Sequence, residues 1–479
     1  MNATLDREDL VSILAGLRPA HDAHARDYPG AAAGRQPVHT VYGGAHLFEP
    51  GIAAKLGAAA LRSLEAHSGD FADFARTVGL PGAGRLPRAA KALAALGRRI
   101  ERDPEGTRPA HPDAWLAWTV HHRVREKLRR EPVEDYRVDF EDGFGVRPDA
   151  EEDAVAAAAA ERMAEGLERE VLPPFIGIRI KSLSRELAGR ALRTLDLFVN
   201  GVLGRGQRRL PENFVVTLPK VVGPEPVAAL CDALDLLEER HRLAAGTLRI
   251  ELMIETPQAI LGPDGRAAPR ALAAAARGRC RGAHFGTYDY TAGLEITAAH
   301  QAPHHPACEF ARHVLQVSLA GTGVTLSDGA TTVMPVGPHA ATRGRLGARQ
   351  AKENREAVHA AWRLHLSDVR RSLALGYYQG WDLHPGQLVT RYAAVYSFFL
   401  EGLEQATLRL RGFVERAAQA TRLGGVFDDA ATGQALLNYF LRGLSCGALT
   451  EAEALATGLT LDELRTRSFP KILQGRRAG

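Results

Sequence analysis

Eight short apolar runs, each trailed by a helical pattern, most narrow the folds open to this chain. They read VHTVYGG, YRVDFED, FIGIRIK, FVVTLPK, LRIELMIE, GAHFGTYD, GVTLSDG and GYYQGWDLHP, counting from residue 38. They are rich in β-branched residues, and no hairpin signal joins any two. Strands separated by helices pair in parallel, because a parallel neighbour needs a long crossover. Eight such units predict an α/β fold of the closed (β/α)₈ type, a TIM barrel. An open doubly wound sheet is the competing arrangement. Its phosphate-binding GxGxxG turn is missing after the first run, where the chain reads GGAHLFEPG.

The pattern also sets boundaries. Residues 1–37 read as a helix and polar linker, 38–390 as the barrel, and 391–479 as a helical C-terminal domain expected to lie across the barrel mouth. Residues 67–133 break the alternation with Gly/Pro punctuation and two Arg-rich helical segments, so they read as a helical insertion after the first strand.

Composition excludes several function classes. Apolar residues make up 45% and charged residues 24% of the 479, and the longest apolar runs fall short of a membrane span. The first 25 residues carry acids and lack the apolar core of a signal peptide, so a cytoplasmic protein without a membrane segment is expected. Cys231, Cys280, Cys308 and Cys446 never form a CxxC pair, which fits buried thiols in a reducing compartment. A net charge of +4 and 6% aromatics provide no basic stripe interleaved with aromatics, so nucleic acid is not an expected partner. Walker-type loops and GxSxG are absent, as is HExxH spacing around His304 and His305. The loop carrying Arg205, Arg208 and Arg209 reads first as a solvated basic loop, with contact to a phosphate-bearing cofactor tail as the alternative.

The strand ends carry the chemistry. The runs at 248–254 and 282–287 each stop at a carboxylate, Glu255 and Asp289, followed by a breaker and a helix. Buried strands have no structural use for acids there, although each acid alone could cap the next helix. On neighbouring parallel strands the two would converge, and two hard oxygen ligands suit Mg²⁺, with Mn²⁺ as a substitute. Arg179, inside an apolar strand, needs a partner or a cleft: a clamp on a carboxylate or enolate, or an ion pair with Glu141 or Asp142. Strand alternation is expected to point Asp139 away from Glu141 and Asp142. Lys220, Gly286, Thr287, Tyr288, Asp328 and His384 sit at or just past strand ends and are candidate substrate-binding residues. For His384, an acid/base, a ligand and a satisfied core histidine all remain open.

LFEPG…KL, VDFED, IRIK, LPKV, LMIETP, FGTYDY and WDLHPGQ, in that order, resemble the superfamily of malate synthases, citrate lyase β-subunits and HpcH/HpaI aldolases. From the sixth strand onward PACEFARHVLQVSLAGTGV, QAKENREAV, WDLHPG and FDDAATGQALLNYFLRG follow malate synthase order. The resemblance implies a Mg²⁺-dependent barrel that makes or breaks a carbon–carbon bond through an enolate. It implies Glu255 and Asp289 as metal ligands, Arg179 as oxyanion stabiliser, Glu141 and Asp142 as the acidic pair near metal waters, and Asp429 as the base. Two departures mark the chain: Ser327-Asp328-Gly329 replaces a Gly-Gly-Met turn, and Tyr288 replaces a Trp.

The expected function is a Mg²⁺-dependent carbon–carbon lyase or synthase, of aldol or Claisen type, acting on a 2-oxo acid. A CoA thioester is a candidate co-substrate, and a homo-oligomer is an open option. A CoA-independent aldolase of hydroxy-oxo acids is the nearest alternative, and a non-catalytic barrel relative is the other.

Overall fold

The computed structural model describes residues 4–32, 34–205, 209–340, 345–419 and 430–478. Eight parallel strands close into a barrel in sequence order: β1 (His39–Gly44), β2 (Asp135–Asp139), β3 (Phe175–Arg179), β4 (Phe214–Leu218), β5 (Arg249–Ile254), β6 (Cys280–Phe285), β7 (Thr325–Ala330) and β8 (Gln379–Trp381). Helices separate consecutive strands, so the fold is a (β/α)₈ barrel with a helical C-terminal region. Among the described residues no helix is long and apolar enough to cross a membrane.

Each strand turns one set of alternate residues to the helices and the other to the lumen. On β2, Phe140 meets Phe198 of the helix Ala188–Gly204 with ring centroids 6.1 Å apart, which leaves Asp135, Arg137 and Asp139 inward. On β6, Phe285 lies under Arg312 of the helix Pro306–Leu319, so His284 faces in. The lumen is therefore polar where the helix-facing side is apolar.

By contacts the chain forms two compact units. One comprises Met1–Gly34, Ile180–Arg193 and Val215–Leu326. In it β5 and β6 pair in register from Glu251↔Gly282 to Ile254↔Phe285. Thr217 Oγ1 donates to Glu251 at 3.2 Å, and His284 Nε2 lies 3.5 Å from the same carboxylate. Burial, aided by Glu251, pushes the Cys280 thiol up to about 12, so it stays protonated.

The other unit comprises Arg35–Arg179, Thr194–Phe214 and Ser327–Gly479. Between β1 and β2 it carries the helices Phe71–Val78, Ala90–Arg102, Pro104–Thr107 and Pro112–Arg130. The long helix Pro385–Gln419 packs on Ile52–His67, Pro112–Arg130 and Ala348–Ala374. The helices beyond it are fastened to other parts of the same unit. Arg442 donates to Gln36 at 3.1 Å and stacks on Tyr378, and Ser445 Oγ accepts from the Gln36 amide at 3.3 Å. Burial, then Glu134, pushes the Cys446 thiol up to about 12. Gln36, Glu134 and Tyr378 stand just before β1, β2 and β8, so this region is attached at the N-terminal ends of those strands. At about 1.5 Å per residue, the 35 residues of the helix Pro385–Gln419 run about 50 Å.

Candidate active site

The acids and cations at the strand ends gather into separate clusters, one in each unit. In the first, Glu255 follows β5 and is 2% exposed, while Asp289 lies in the first turn of Thr287–Gly293, the helix after β6. Lys220, just past β4, adopts a left-handed backbone with φ of 50°. That region disfavours a non-glycine residue. Here it turns the Lys220 amide onto Glu255 Oε1 at 2.7 Å, while the ammonium lies 3.8 Å from Asp289 Oδ1. Thr256 Oγ1 donates to the Val221 carbonyl at 2.6 Å and fastens the same segment.

Gly286 is demanded by this packing. A Cβ there would come within 2.5 Å of Glu255 Cβ and 2.6 Å of Oε2. The next residue, Thr287, is buried, and its hydroxyl has no hydrogen-bond partner among the described residues. Tyr288 contributes through its backbone, its carbonyl accepting from Thr291 Oγ1 at 3.1 Å and Gln301 Nε2 at 3.3 Å. Glu255, Asp289 and Lys220 open on a cavity of about 420 Å³, also lined by Ser182, Ser184, Val222, Thr256 and Gln258. Sequence reasoning missed these wall residues, because loops carry no periodic signal.

The chemistry of these donors is that of a site for a hard divalent cation. Two carboxylates line one cavity and supply hard oxygen donors, and the Lys220 ammonium, 3.8 Å from Asp289, is a charge that an ion would have to displace. Among the described residues no group of three or more His, Cys, Asp or Glu side chains is arranged to hold a metal. Any ion would therefore keep much of its shell as water or substrate.

The second cluster centres on Arg179, at the end of β3. Its Nε donates to Asp139 Oδ1 at 2.7 Å and its Nη2 to Oδ2 at 2.5 Å, a bidentate fork, while Nη1 lies 3.1 Å from Glu141 and 3.8 Å from Asp142. The guanidinium also stacks on Tyr42 at 4.8 Å. Asp139 was expected to point elsewhere, yet it is the principal partner. It is paired in register with Arg179 on the neighbouring strand, so both side chains leave the same face. An Asp and an Arg closing two successive strands was the signal that could have found it. Asp139 also accepts from the amides of Glu141 and Gly143, at 2.9 and 2.7 Å, which folds VDFEDG back over the arginine. Burial opposes the charge on Arg179, but Asp139 and Glu141 outweigh it and raise its pKa.

Two other candidates are held by neighbouring elements. Asp328 is 5% exposed and accepts from the Gly329 amide at 2.8 Å and from Ser372 Oγ on the helix Ala348–Ala374, so it faces the helix layer. His384 Nδ1 accepts from the Gly386 amide at 3.1 Å in the turn that starts the helix Pro385–Gln419, and burial lowers its pKa. Asp382, just past β8, is a hub. Arg391 donates to it at 2.9 to 3.2 Å, and His39 Nδ1 and His365 Nε2 each lie 3.1 Å away. Asp429 and Arg208 lie outside the described residues.

Comparison with known proteins places the chain in a family. A family model described as "Domain of unknown function (DUF6986)" matches residues 17–472. The chain belongs to that family. No curated protein matches it. Among solved structures, native malate synthase from Haloferax volcanii shares 16% identity over 70% of this DUF6986 chain and 88% of its own, with a TM-score of 0.40. The magnesium/glyoxylate complex of that enzyme shares 17%, over 72% and 88%, at 0.38. An HpcH/HpaI aldolase/citrate lyase family protein from Burkholderia cenocepacia J2315 shares 12%, over 61% and 99%, at 0.30. At such identities and scores the likeness is one of fold and carries no argument about chemistry.

Proposed function

We propose that this DUF6986 protein is a Mg²⁺-dependent carbon–carbon lyase or synthase that acts on a 2-oxo acid through an enolate. The observation that carries the reading is the constellation of Glu255, Asp289 and Lys220 at the ends of β5, β6 and β4, opening on one cavity. Barrel enzymes do their chemistry at these strand ends. Glu255 and Asp289 would hold the metal, and Mg²⁺ there supplies a Lewis acid for a 2-oxo carbonyl. The Lys220 amide fixes Glu255, and its ammonium adds a positive charge for a substrate carboxylate. Within its own unit Asp139 keeps Arg179 charged and oriented, and its role against the negative charge that develops on the enolate oxygen is assigned on sequence resemblance alone. Glu141 and Asp142 hold Nη1 of that arginine. The group that removes the proton is assigned on sequence resemblance alone, to Asp429.

A panel of 2-hydroxy and 3-hydroxy acids, each free and as its CoA ester, tests the proposal. Scored with Mg²⁺ and then with chelator, at least one member should release glyoxylate or pyruvate in a metal-dependent way. Release only from CoA esters would make the thioester a co-substrate, and release from free acids would favour the CoA-independent aldolase. No release from any member would count against the reaction class.

A further inference from the structure

The cavity in front of Glu255 and Asp289 is larger than a small 2-oxo acid requires. Glyoxylate has five heavy atoms and fills on the order of 100 Å³, scaled from about 30 Å³ per water molecule. The cavity measures about 420 Å³. Its surplus is not uniformly polar: Leu183, Pro219, Val222, Pro226 and Pro257 line it alongside Ser182, Ser184 and Gln258.

Val222 shows how the chain makes this wall. After the left-handed turn at Lys220, Val221 is buried at 1% exposure while Val222 is turned out at 56%. A valine held half in water at the mouth of a binding cavity contributes little to folding, but it offers apolar area to a ligand. The proline-rich wall around it is already rigid, so a chain packed there orders few protein groups.

We infer that the 2-oxo acid held at Glu255 and Asp289 carries an aliphatic substituent, longer than a methyl group, that packs on Val222, Leu183 and Pro226. This inference rests on the function proposed above and specifies its substrate class.

Calorimetric titration with glyoxylate, pyruvate, 2-oxobutanoate and 2-oxohexanoate, each with saturating Mg²⁺, tests it. Affinity should rise along the series by up to about fourfold for each methylene buried. Val222→Asp should flatten the rise, and Val222→Ser should flatten it in part. Because Val222 is exposed, neither change threatens the fold, and titrating each variant with Mg²⁺ alone reports on the metal pair separately. Equal affinities across the series in the wild type would overturn the inference and leave the proposed function standing. An unchanged slope in Val222→Asp would overturn the assignment of that wall. Binding of none of the four acids would overturn the proposed function and this inference together.

Discussion

Asp382 and Asp289 both follow barrel strands, and in the sequence they look alike. Their surroundings differ in kind. Asp382 is 1% exposed and ringed by Arg391, His39 and His365, and its amide donates to the Thr40 carbonyl at 3.2 Å. Asp289 keeps 44% of its side chain exposed and faces one ammonium at 3.8 Å. The Glu134 amide donates to His39 Nε2 at 3.1 Å, and Nδ1 is turned to Asp382. A carboxylate enclosed by donors from several elements is part of the architecture. One that stands at a cavity with a single distant cation has capacity left for a ligand.

The sharpest way to break this contrast is to neutralise both acids. Asp382→Asn leaves Arg391 buried with a weakened partner and should cost about 3–5 kcal/mol of stability in denaturant unfolding. Asp289→Asn, at an exposed site, should change stability by within about 0.5 kcal/mol. Equal losses would erase the distinction.

Arg179 stands between the two cases, since it is as enclosed as Asp382 yet assigned to the reaction. Arg179→Lys keeps the charge and loses the fork to Asp139. Turnover should fall by about 10²–10³, as for loss of an oxyanion donor. Unchanged turnover in a folded variant would return Arg179 to the architecture.

Acid sharpens the comparison further. Burial alone would raise the Asp382 pKa, but Arg391, His365 and His39 hold it well below the usual carboxylate value. Glu134 is also held low, burial being outweighed by Lys127 and Arg35. A depressed folded pKa gives stability that is present above the unfolded pKa, near pH 4, and is lost as pH falls toward the folded value. The unfolding midpoint should therefore drop as pH falls below about 4, with a shallower slope in Asp382→Asn. A small effect is expected beneath the proposed metal site. Gly286→Ala, whose Cβ would press on Glu255, should weaken Mg²⁺ binding by about tenfold, the equivalent of about 1.4 kcal/mol of displacement.

What the sequence showed follows from periodicity. The eight strands were legible because apolar alternation stopped at each charged end, and Glu255, Asp289 and Lys220 were legible because those ends are where such residues stand out. Partnerships across distant elements were not. His39 and His365 are separated from Asp382 by most of the chain or by a helix, and no local pattern pairs them. Asp139 was misdirected by reasoning about its neighbours in the strand when its partner lay across the ladder. The left-handed backbone at Lys220 was invisible, since lysine carries no preference that announces it. Nor did any motif report that Arg442 and Ser445 fasten to Gln36, about 400 residues away in sequence.

Calorimetric titration of Mg²⁺ into the wild type and Glu255→Gln tests the central claim most directly. The account predicts saturable one-site binding in the wild type, and a strong loss of affinity in the variant with its unfolding midpoint retained, because one hard ligand is neutralised. Equal affinities in the two proteins, or no binding in the wild type, would contradict it.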